Sequence, residues 1–533
     1  MEAAKIALSS SPRQAEPAAT HKWLVAVAVM LGTTLEVLDV TIVNVSLPHM
    51  QGTFSASVDE IAWVVTSYLV ANGIMIPMTG WISSRFGRKR YFLISVTVFV
   101  ITSAFCGWAQ SLGQMVVFRL FQGAAGAAMI PSSQAILMET FPPEEQALAL
   151  ATWGVGLMLA PITGPTLGGW ITDNWSWRWN FYINIPVGLL AALMVYVFVH
   201  DPAYLRERRA QGGKVDYLGI LYLVLGLGLL QIVLDRGQRA DWFNSSWVVW
   251  ATLFAGLSLL ALTIHELRFP APILDLRIMK NRVFSLAVFL VVAMSSVLYG
   301  TGLLNPIFLQ NFMGYTAWKA GLVMSPRGLG ALASMILVGQ VARFGYDTRR
   351  LIGVGFALMT CGLWMMAHWD LQVGLWQVIK PTIVLGSGLG LVFPTLSAAT
   401  LACVERERMG FAASLYNMMR NTGAAIGISY MTAKLISHEQ IHQSNLVQHF
   451  SVFDAWKLSQ TAGMPGAPRF DYMQQIITGQ HQSLGMVYGM VQNQAAMLSF
   501  NDIYRMFAAI TLLLIPCFLW LKGVGGTPAA PAH

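Results

Sequence analysis

Two carboxylates occur in a segment that is otherwise apolar enough for the interior of a lipid bilayer. The segment LEVLDVTIVNVSLP, residues 35–48, contains Glu36, Asp39 and Asn44. At about 100° per residue on a helix, Glu36 and Asp39 share one face, and Asn44 lies to the other side of Glu36. Acids inside a membrane need a partner or a wet cavity, and they often bind and release protons. The segment therefore indicates a proton site.

A basic partner is available in another apolar segment, FRLFQGAAGAAMIP. There Arg119 is followed by Gln122, and two glycines, Gly123 and Gly126, permit close helix approach. A contact between Asp39 and Arg119 would satisfy both charges. Two interpretations stay open. The pair is either a static contact that fixes helix packing, or a proton site in which the contact is made and broken, because burial disfavours a carboxylate and a nearby arginine favours it.

Further polar side chains share helical faces in later apolar segments. YNMMRNTGAAIG, residues 416–427, places Asn417, Arg420 and Asn421 on one face, and Asn305 with Gln310 forms a similar face earlier in the chain. Both faces suit either hydrogen bonds between helices or a substrate cavity between two halves. Other basic residues in apolar segments need partners, a wet cavity or a nearby membrane surface: Arg327, Lys380, Lys434 and Arg505.

The composition is that of a membrane protein. Of 533 residues, 55% are hydrophobic and 11% are charged, against about 25% charged in soluble domains. The net charge of +8 is interpreted as a topology signal, so nucleic-acid binding is not expected. The four cysteines are far apart and have no metal or redox spacing, which is typical of small core residues.

Apolar segments of span length, about 20 residues, recur along the whole chain. We predict an all-α protein with a disordered cytoplasmic leader at 1–23, a six-helix half at 24–205, linkers with two additional spans at 206–282, and a second six-helix half at 283–533. The expected spans lie near 24–47, 59–82, 91–109, 113–138, 146–172, 179–200, 216–234, 247–264, 284–310, 317–342, 350–368, 372–398, 408–436 and 501–522.

Most Lys and Arg residues fall in alternate loops, which predicts that both termini are cytoplasmic. GWISSRFGRKR, residues 80–90, ends the second span, and GQVARFGYDTRR, residues 339–350, ends the second span of the final six. This internal similarity is expected of repeated transporter halves.

One long polar segment, 437–500, is predicted to face outside, and GMPGAP at 463–468 divides it into two stretches that could be helical. His438 and His442 are one helical turn apart in it. A metal site there is open, but we do not predict one because the sequence places no third ligand. The pattern favours a solvated helical hairpin that contacts a partner.

Together these motifs resemble the major facilitator superfamily, and within it the 14-span drug:proton antiporters of the EmrB/QacA branch. LDVTIVNVSLP resembles the first-span motif whose acid, here Asp39, is implicated in coupling. RLFQGAAGAA resembles the fourth-span motif whose arginine, here Arg119, is implicated in proton transfer. WRWNFYINIPVG and LDRGQRADWF are also similar. APITGPTLGG resembles the fifth-span antiporter motif, with Pro161, Gly164, Pro165, Gly168 and Gly169.

The chain departs from the family pattern in the loop after the second span. The family's acidic position is Ser84, so a charge interaction that helps to hold one conformation is expected to be absent or moved. The other positions of this cytoplasmic loop motif are kept: Gly80, Arg85, Gly87, Arg88 and Lys89.

The resemblance implies a major facilitator fold with two inserted helices, in a bacterial inner membrane, that exports lipophilic drugs and toxic compounds by antiport. The proton is the expected coupling ion, without a cofactor, and Glu36 is an added candidate for proton coupling or cation recognition beside Asp39 and Arg119. The expected cavity residues are Asn44, Gln122, Asn305, Gln310, Asn417, Arg420 and Asn421.

EmrB-like proteins also imply a periplasmic adaptor (a membrane fusion protein) and an outer-membrane channel, for which 437–500 is a candidate docking surface. An importer or a sensor of the same fold is the alternative. A membrane-embedded enzyme is disfavoured, since the histidines are dispersed and no G-x-S-x-G motif occurs. No phosphate loop occurs either, which disfavours ATP as the fuel.

Overall fold

The computed structural model describes residues 22–201, 215–270, 272–343, 349–448 and 481–521. Within these ranges the chain is helical and contains no β-strand. We number the long helices α1 Lys22–Phe54, α2 Trp63–Phe86, α3 Arg88–Trp108, α4 Leu112–Thr140, α5 Gln146–Asn174, α6 Asn184–Phe198, α7 Tyr217–Arg236, α8 Ser246–Arg268, α9 Arg282–Ile307, α10 Ala317–Arg343, α11 Arg349–Met366, α12 Leu375–Ala402, α13 Met409–Gln448 and α14 His481–Leu514.

Each of the fourteen predicted spans corresponds to one of these helices, so the predicted fold class is confirmed. Eleven helices in the described residues are long and apolar enough to cross a membrane by composition alone. The other three are α2, α11 and α13, which carry more polar side chains. Asn72 of α2 and Asn417 of α13 are buried, because neighbouring helices rather than lipid surround them. The domain boundaries at 24–205, 206–282 and 283–533 stay predictions.

The helices that contain the last two predicted spans extend beyond those spans into 437–500, where two stretches that could be helical were predicted. The predicted span 408–436 continues as helix to Gln448, and the helix that contains the predicted span 501–522 begins at His481. No Gly or Pro interrupts the stretch from 436 to 448, so the helix extends beyond the apolar residues. The rest of the predicted loop, with GMPGAP, lies outside the described residues, as do most of the leader and of the first linker.

Two bundles and an inserted pair of helices make up the fold. In the first half, α1 packs against α5 and α6, and α2 against α4. In the second half, α9 packs against α13, and α10 and α11 pack against α12. The inserted helices α7 and α8 pack against each other and place α7 against α2. The halves meet where α2 contacts α13 and where α5 contacts α10.

The repeated Gly of the two similar sequence stretches lies at these contacts between halves. A Cβ added to Gly80 on α2 would come 2.7 Å from Phe411 Cα on α13. A Cβ added to Gly339 on α10 would come 2.6 Å from Leu148 Cδ1 on α5. Gly80 therefore permits close contact with the backbone of the other half at the predicted cytoplasmic ends of the helices, whereas at Gly339 only the end of the Leu148 side chain would have to move.

Candidate proton and substrate site

Asp39 and Arg119 form a buried ion pair. Asp39 projects from α1 and Arg119 from α4, and Arg119 Nη1 lies 2.5 Å from Asp39 Oδ2. The side chains are 0% and 1% exposed, respectively. The sequence therefore placed the two charges correctly opposite each other, and the roles given to them stay predictions.

Amide side chains complete the shell around this pair. Gln122 Nε2 donates to Asp39 Oδ1 over 3.0 Å, and Asn184 Nδ2 donates to the same oxygen over 2.8 Å. Arg119 Nε donates to the carbonyl of Val64, and its guanidinium lies 4.2 Å from the ring centre of Tyr68. Because Asp39 and Arg119 are at most 1% exposed, the pair is sealed from water in this conformation.

The sealed pair has a chemical consequence. Asp39 is 0% exposed, so exchange of a proton between its carboxylate and bulk water would require the surrounding helices to move. Gly123 contributes to the seal, because it lies against the backbone of Tyr68 on α2 with no room for a side chain. The arrangement can therefore hold a charge pair in one state and release it in another.

Glu36 occupies a second buried position, one turn from Asp39 on α1. Asn72 Nδ2 of α2 donates to Glu36 Oε1 over 3.0 Å, whereas Glu36 Oε2 has no hydrogen-bond partner in the described residues. Arg420 of α13 is close enough to interact with Glu36 electrostatically. Asn421 Nδ2, also on α13, donates to Asn72 Oδ1 over 3.2 Å. Glu36 thus lies beside polar groups of both halves.

A second polar contact joins the halves nearby. Asn417 Nδ2 of α13 donates to Gln134 Oε1 of α4 over 2.5 Å, and both side chains are fully buried. Sequence reasoning missed Gln134, Asn72 and Asn184. Each is a single amide within an apolar stretch, so the signal was present but weaker than that of a charge.

Asn305 belongs to a separate polar cluster in the second half. Tyr504 donates its hydroxyl to Asn305 Oδ1 over 2.6 Å, and Asn305 Nδ2 has no partner in the described residues. Arg327 Nη2 donates to the Leu298 carbonyl and to Thr301 Oγ1, each over 3.2 Å. Among the described residues, no carboxylate forms an ion pair with Arg327. Within the described part of the chain, the cluster therefore offers a positive charge without a counter-ion.

Not every predicted cavity residue lies in these clusters. Gln122 is part of the shell around Asp39, whereas Asn44 and Gln310 are exposed. Lys380 is also exposed. Asn421 lines a crevice between α2, α7 and α13, together with Gly73, Leu227, Leu230, Gln231, Leu234, Met418 and Thr422. The crevice has room for about one water molecule, far less than a ligand pocket, so it does not hold a drug-sized compound in this conformation.

The antiporter motif lies on α5 and packs against α1. Gly164 contacts Thr41, and a Cβ on Gly168 would come 3.2 Å from Ile42 Cα. Gly169 faces Val45, and Pro161 and Pro165 lie in the same helix. The glycines therefore position the helix that carries Glu36 and Asp39.

The cytoplasmic loop motif makes its charge contacts without an acid at position 84. Ser84 donates its hydroxyl to the Trp81 carbonyl of its own helix. Arg88 pairs with Glu139, with Nη1 2.5 Å from Oε2. Asp201, after α6, accepts from the backbone N–H of Lys89 over 2.8 Å at the start of α3. Acids from α4 and from the end of α6 thus contact this loop.

In the ranges that the structure describes, fourteen long helices with opposed charges buried between them form the architecture of a multi-span transporter. The profile described as Major Facilitator Superfamily matches residues 29–428. The multidrug export protein EmrB of Haemophilus influenzae is 34% identical over 508 residues, which are 95% of this chain and 96% of that protein. The chain therefore belongs to the major facilitator superfamily and, within it, to the EmrB family.

Two further proteins show similarity. The fatty acid resistance protein FarB of Neisseria gonorrhoeae is 32% identical, over 92% of this chain and 94% of that protein. The crystal structure of the human organic anion transporter MFSD10 aligns with a TM-score of 0.60 at 14% identity, covering 94% of this chain and 99% of that chain. The latter similarity concerns the fold.

Proposed function

We propose that this membrane protein is a secondary active transporter that exports lipophilic drugs and other toxic compounds in exchange for protons. The observation that carries the proposal is the sealed Asp39–Arg119 pair between α1 and α4. The names of its relatives, a multidrug export protein and a fatty acid resistance protein, support the direction and the substrate class.

In the proposed cycle, Asp39 alternates between Arg119 and a proton. When α1 and α4 separate, the carboxylate loses the charge that stabilises it and accepts a proton. When they close again, Arg119 displaces the proton. The close contact of α5 with α1 makes a movement of α1 independent of α5 unfavourable, so the change spreads through the first half.

Glu36 supplies the connection to the second half. Its bond to Asn72 and the bond between Asn72 and Asn421 join α1, α2 and α13. A change at α1 therefore alters polar contacts at the face where the halves meet. We place the substrate at this face, between the polar groups of the two halves, in a conformation in which the halves have separated.

A proton gradient provides enough free energy for this export. One proton entering at about 100 mV and one pH unit supplies about 2.3 and 1.4 kcal/mol, or about 3.7 kcal/mol together. That supports a gradient of about 500-fold for a one-to-one exchange with a neutral compound.

The proposal extends to location and assembly. Both termini are assigned to the cytoplasm of a bacterial cell, in its inner membrane, on the distribution of Lys and Arg. A periplasmic adaptor and an outer-membrane channel are the proposed partners, with residues 437–500, which include the extensions of α13 and α14, as the docking surface. Replacing residues 437–500 by a short Gly-Ser linker should abolish crosslinking to the adaptor, and crosslinking that persists would contradict this docking surface.

Energised inside-out vesicles test the antiport. A pH-sensitive dye follows lumenal pH while lipophilic weak acids, cations and neutral compounds are added. Compound-induced proton release should occur with the native protein and with the control Asp235→Asn, which alters an acid outside the sealed pair, and should be lost with Asp39→Asn. Release unchanged in Asp39→Asn would assign the proton site elsewhere. No release with any compound would favour an importer or a sensor.

A further inference from the structure

A cluster outside the proposed transport site joins the two helices that extend past the apolar spans. His438 and His442 lie one turn apart on α13, and Asp502 lies on α14. His438 Nδ1 is 3.1 Å and His442 Nε2 is 2.7 Å from the same oxygen, Asp502 Oδ2. One ligand atom from each residue lies within 4.8 Å of the others. Two imidazoles and a carboxylate therefore converge on one point.

The cluster lies at the end of the bundle opposite the cytoplasmic loops. Asn501, next to Asp502, donates to the carbonyl of Trp369, which follows the last residues of α11. Arg349, at the other end of α11, donates to the carbonyl of Leu521 beyond the end of α14. The three side chains of the cluster are 24–26% exposed, so water and ions can reach them.

From this geometry we infer that His438, His442 and Asp502 bind a divalent transition metal ion, with zinc as the best match. Zinc takes imidazole nitrogen and carboxylate oxygen ligands at about 2.0–2.2 Å, which places ligand atoms of a tetrahedral site about 3.3 Å apart. The two nitrogen–oxygen distances, 3.1 and 2.7 Å, would have to lengthen by about 0.2 and about 0.6 Å to reach this spacing. Magnesium and calcium fit less well, because they prefer oxygen ligands.

The groups around the three ligands are compatible with a bound metal ion. Three protein ligands leave one position for water, as in open zinc sites. Arg505 Nη1 lies 3.4 Å from the other carboxylate oxygen, Asp502 Oδ1, where it can orient the acid, and its side chain is 52% exposed and free to turn toward solvent. Both imidazole nitrogens contact Asp502 Oδ2, so the ion would lie on that side of the carboxylate and Arg505 on the other.

A metal at this point would fasten α13 to α14 at the base of their extensions. Farther out, Gln443 of α13 donates to the Tyr488 hydroxyl of α14 over 3.0 Å, so the helices are already in contact there. The ion would replace two hydrogen bonds to the acid by coordinate bonds, with each imidazole turning the lone pair of its facing nitrogen toward the metal. This site does not depend on the direction or the driving force of transport.

Metal titration of the full-length protein tests the site. The chain is purified in detergent through a tag without histidine, stripped with a chelator and titrated with zinc chloride by calorimetry. We expect one equivalent to bind, and His442→Gln and Asp502→Asn to lower the affinity at least about tenfold. The matched control is His368→Gln, which alters an exposed histidine bonded to the backbone of its own helix.

Cobalt provides a measurement that needs no variant. Cobalt chloride added to the native protein should give visible absorption bands of a nitrogen- and oxygen-bound ion, and zinc should remove them. Absence of one-equivalent zinc binding to the native protein at micromolar concentrations would overturn the inference. So would binding that persists unchanged in both His442→Gln and Asp502→Asn.

Discussion

Asn72 holds Glu36 with its amide nitrogen and is itself held by Asn421 through its amide oxygen. The two hydrogen bonds, of 3.0 and 3.2 Å, run from α1 through α2 to α13. Residues of both halves therefore share one polar connection next to a carboxylate. Because Glu36 keeps one oxygen without a hydrogen bond in the described residues, the acid has capacity for a further ligand.

Glu36→Gln should separate charge recognition from proton coupling. Glutamine keeps an oxygen that accepts from Asn72 but removes the negative charge. We expect export of a lipophilic cation to fall about tenfold or more, equivalent to about 1.4 kcal/mol, while export of a neutral compound stays within about twofold. Dye-based transport in inside-out vesicles measures both. Equal losses for the two compounds would instead make Glu36 a proton site.

Removing one member of the buried ion pair should destabilise the fold more than removing both. Asp39→Asn and Arg119→Gln each leave an uncompensated charge, which costs about 3–5 kcal/mol. The double variant leaves none and should melt nearer the native temperature. Thermal unfolding in detergent, compared with Lys380→Gln as an exposed control, measures the difference. A double variant that is destabilised by the sum of both single effects would contradict an energetically coupled pair.

Gly80→Val should separate the halves at the predicted cytoplasmic ends of α2 and α13. The added side chain would meet the backbone of Phe411, which cannot move aside as a flexible side chain can. The test uses a protein whose four native cysteines are replaced and in which Ser83, a buried residue of α2, is changed to cysteine. This cysteine should react with maleimide at least about tenfold faster in Gly80→Val, because the conformation in which α2 and α13 are in contact loses population. Gly113→Val, with open space around the glycine, is the control. An unchanged labelling rate would show that the contact between Gly80 and Phe411 does not control access to this end of the two helices.

Arg327→Gln should reduce the export of weak acids selectively. The guanidinium donates to Thr301 and a backbone carbonyl but, among the described residues, pairs with no acid. An anionic compound would gain a charge-assisted bond there, so its export should fall about tenfold while that of a cation changes little. Arg327→Lys should recover part of the loss. A similar effect on acids and cations would show that the residue serves packing alone.

The sequence predicted the helices and the ion pair because both follow from strong local rules. An apolar run of span length must be a helix in lipid, and a buried acid needs a buried base. The amide contacts of Asn72, Gln134 and Asn184 could not be predicted, because a single amide in an apolar stretch does not indicate which helix it will contact. The third candidate metal ligand, Asp502, lies 60 residues from His442, so only the packing of α13 on α14 reveals it.

Because α13 is a single uninterrupted helix, a small tilt of the helix produces a large displacement of its far end. At 1.5 Å per residue, its 40 residues measure about 60 Å from Met409 to Gln448. If the helix tilts by about 10° around its predicted cytoplasmic end, the far end moves by about 10 Å. A rearrangement of the second half would therefore be enlarged at the far end of α13, and the proposed adaptor, if it docks there, would be displaced mechanically at each turnover.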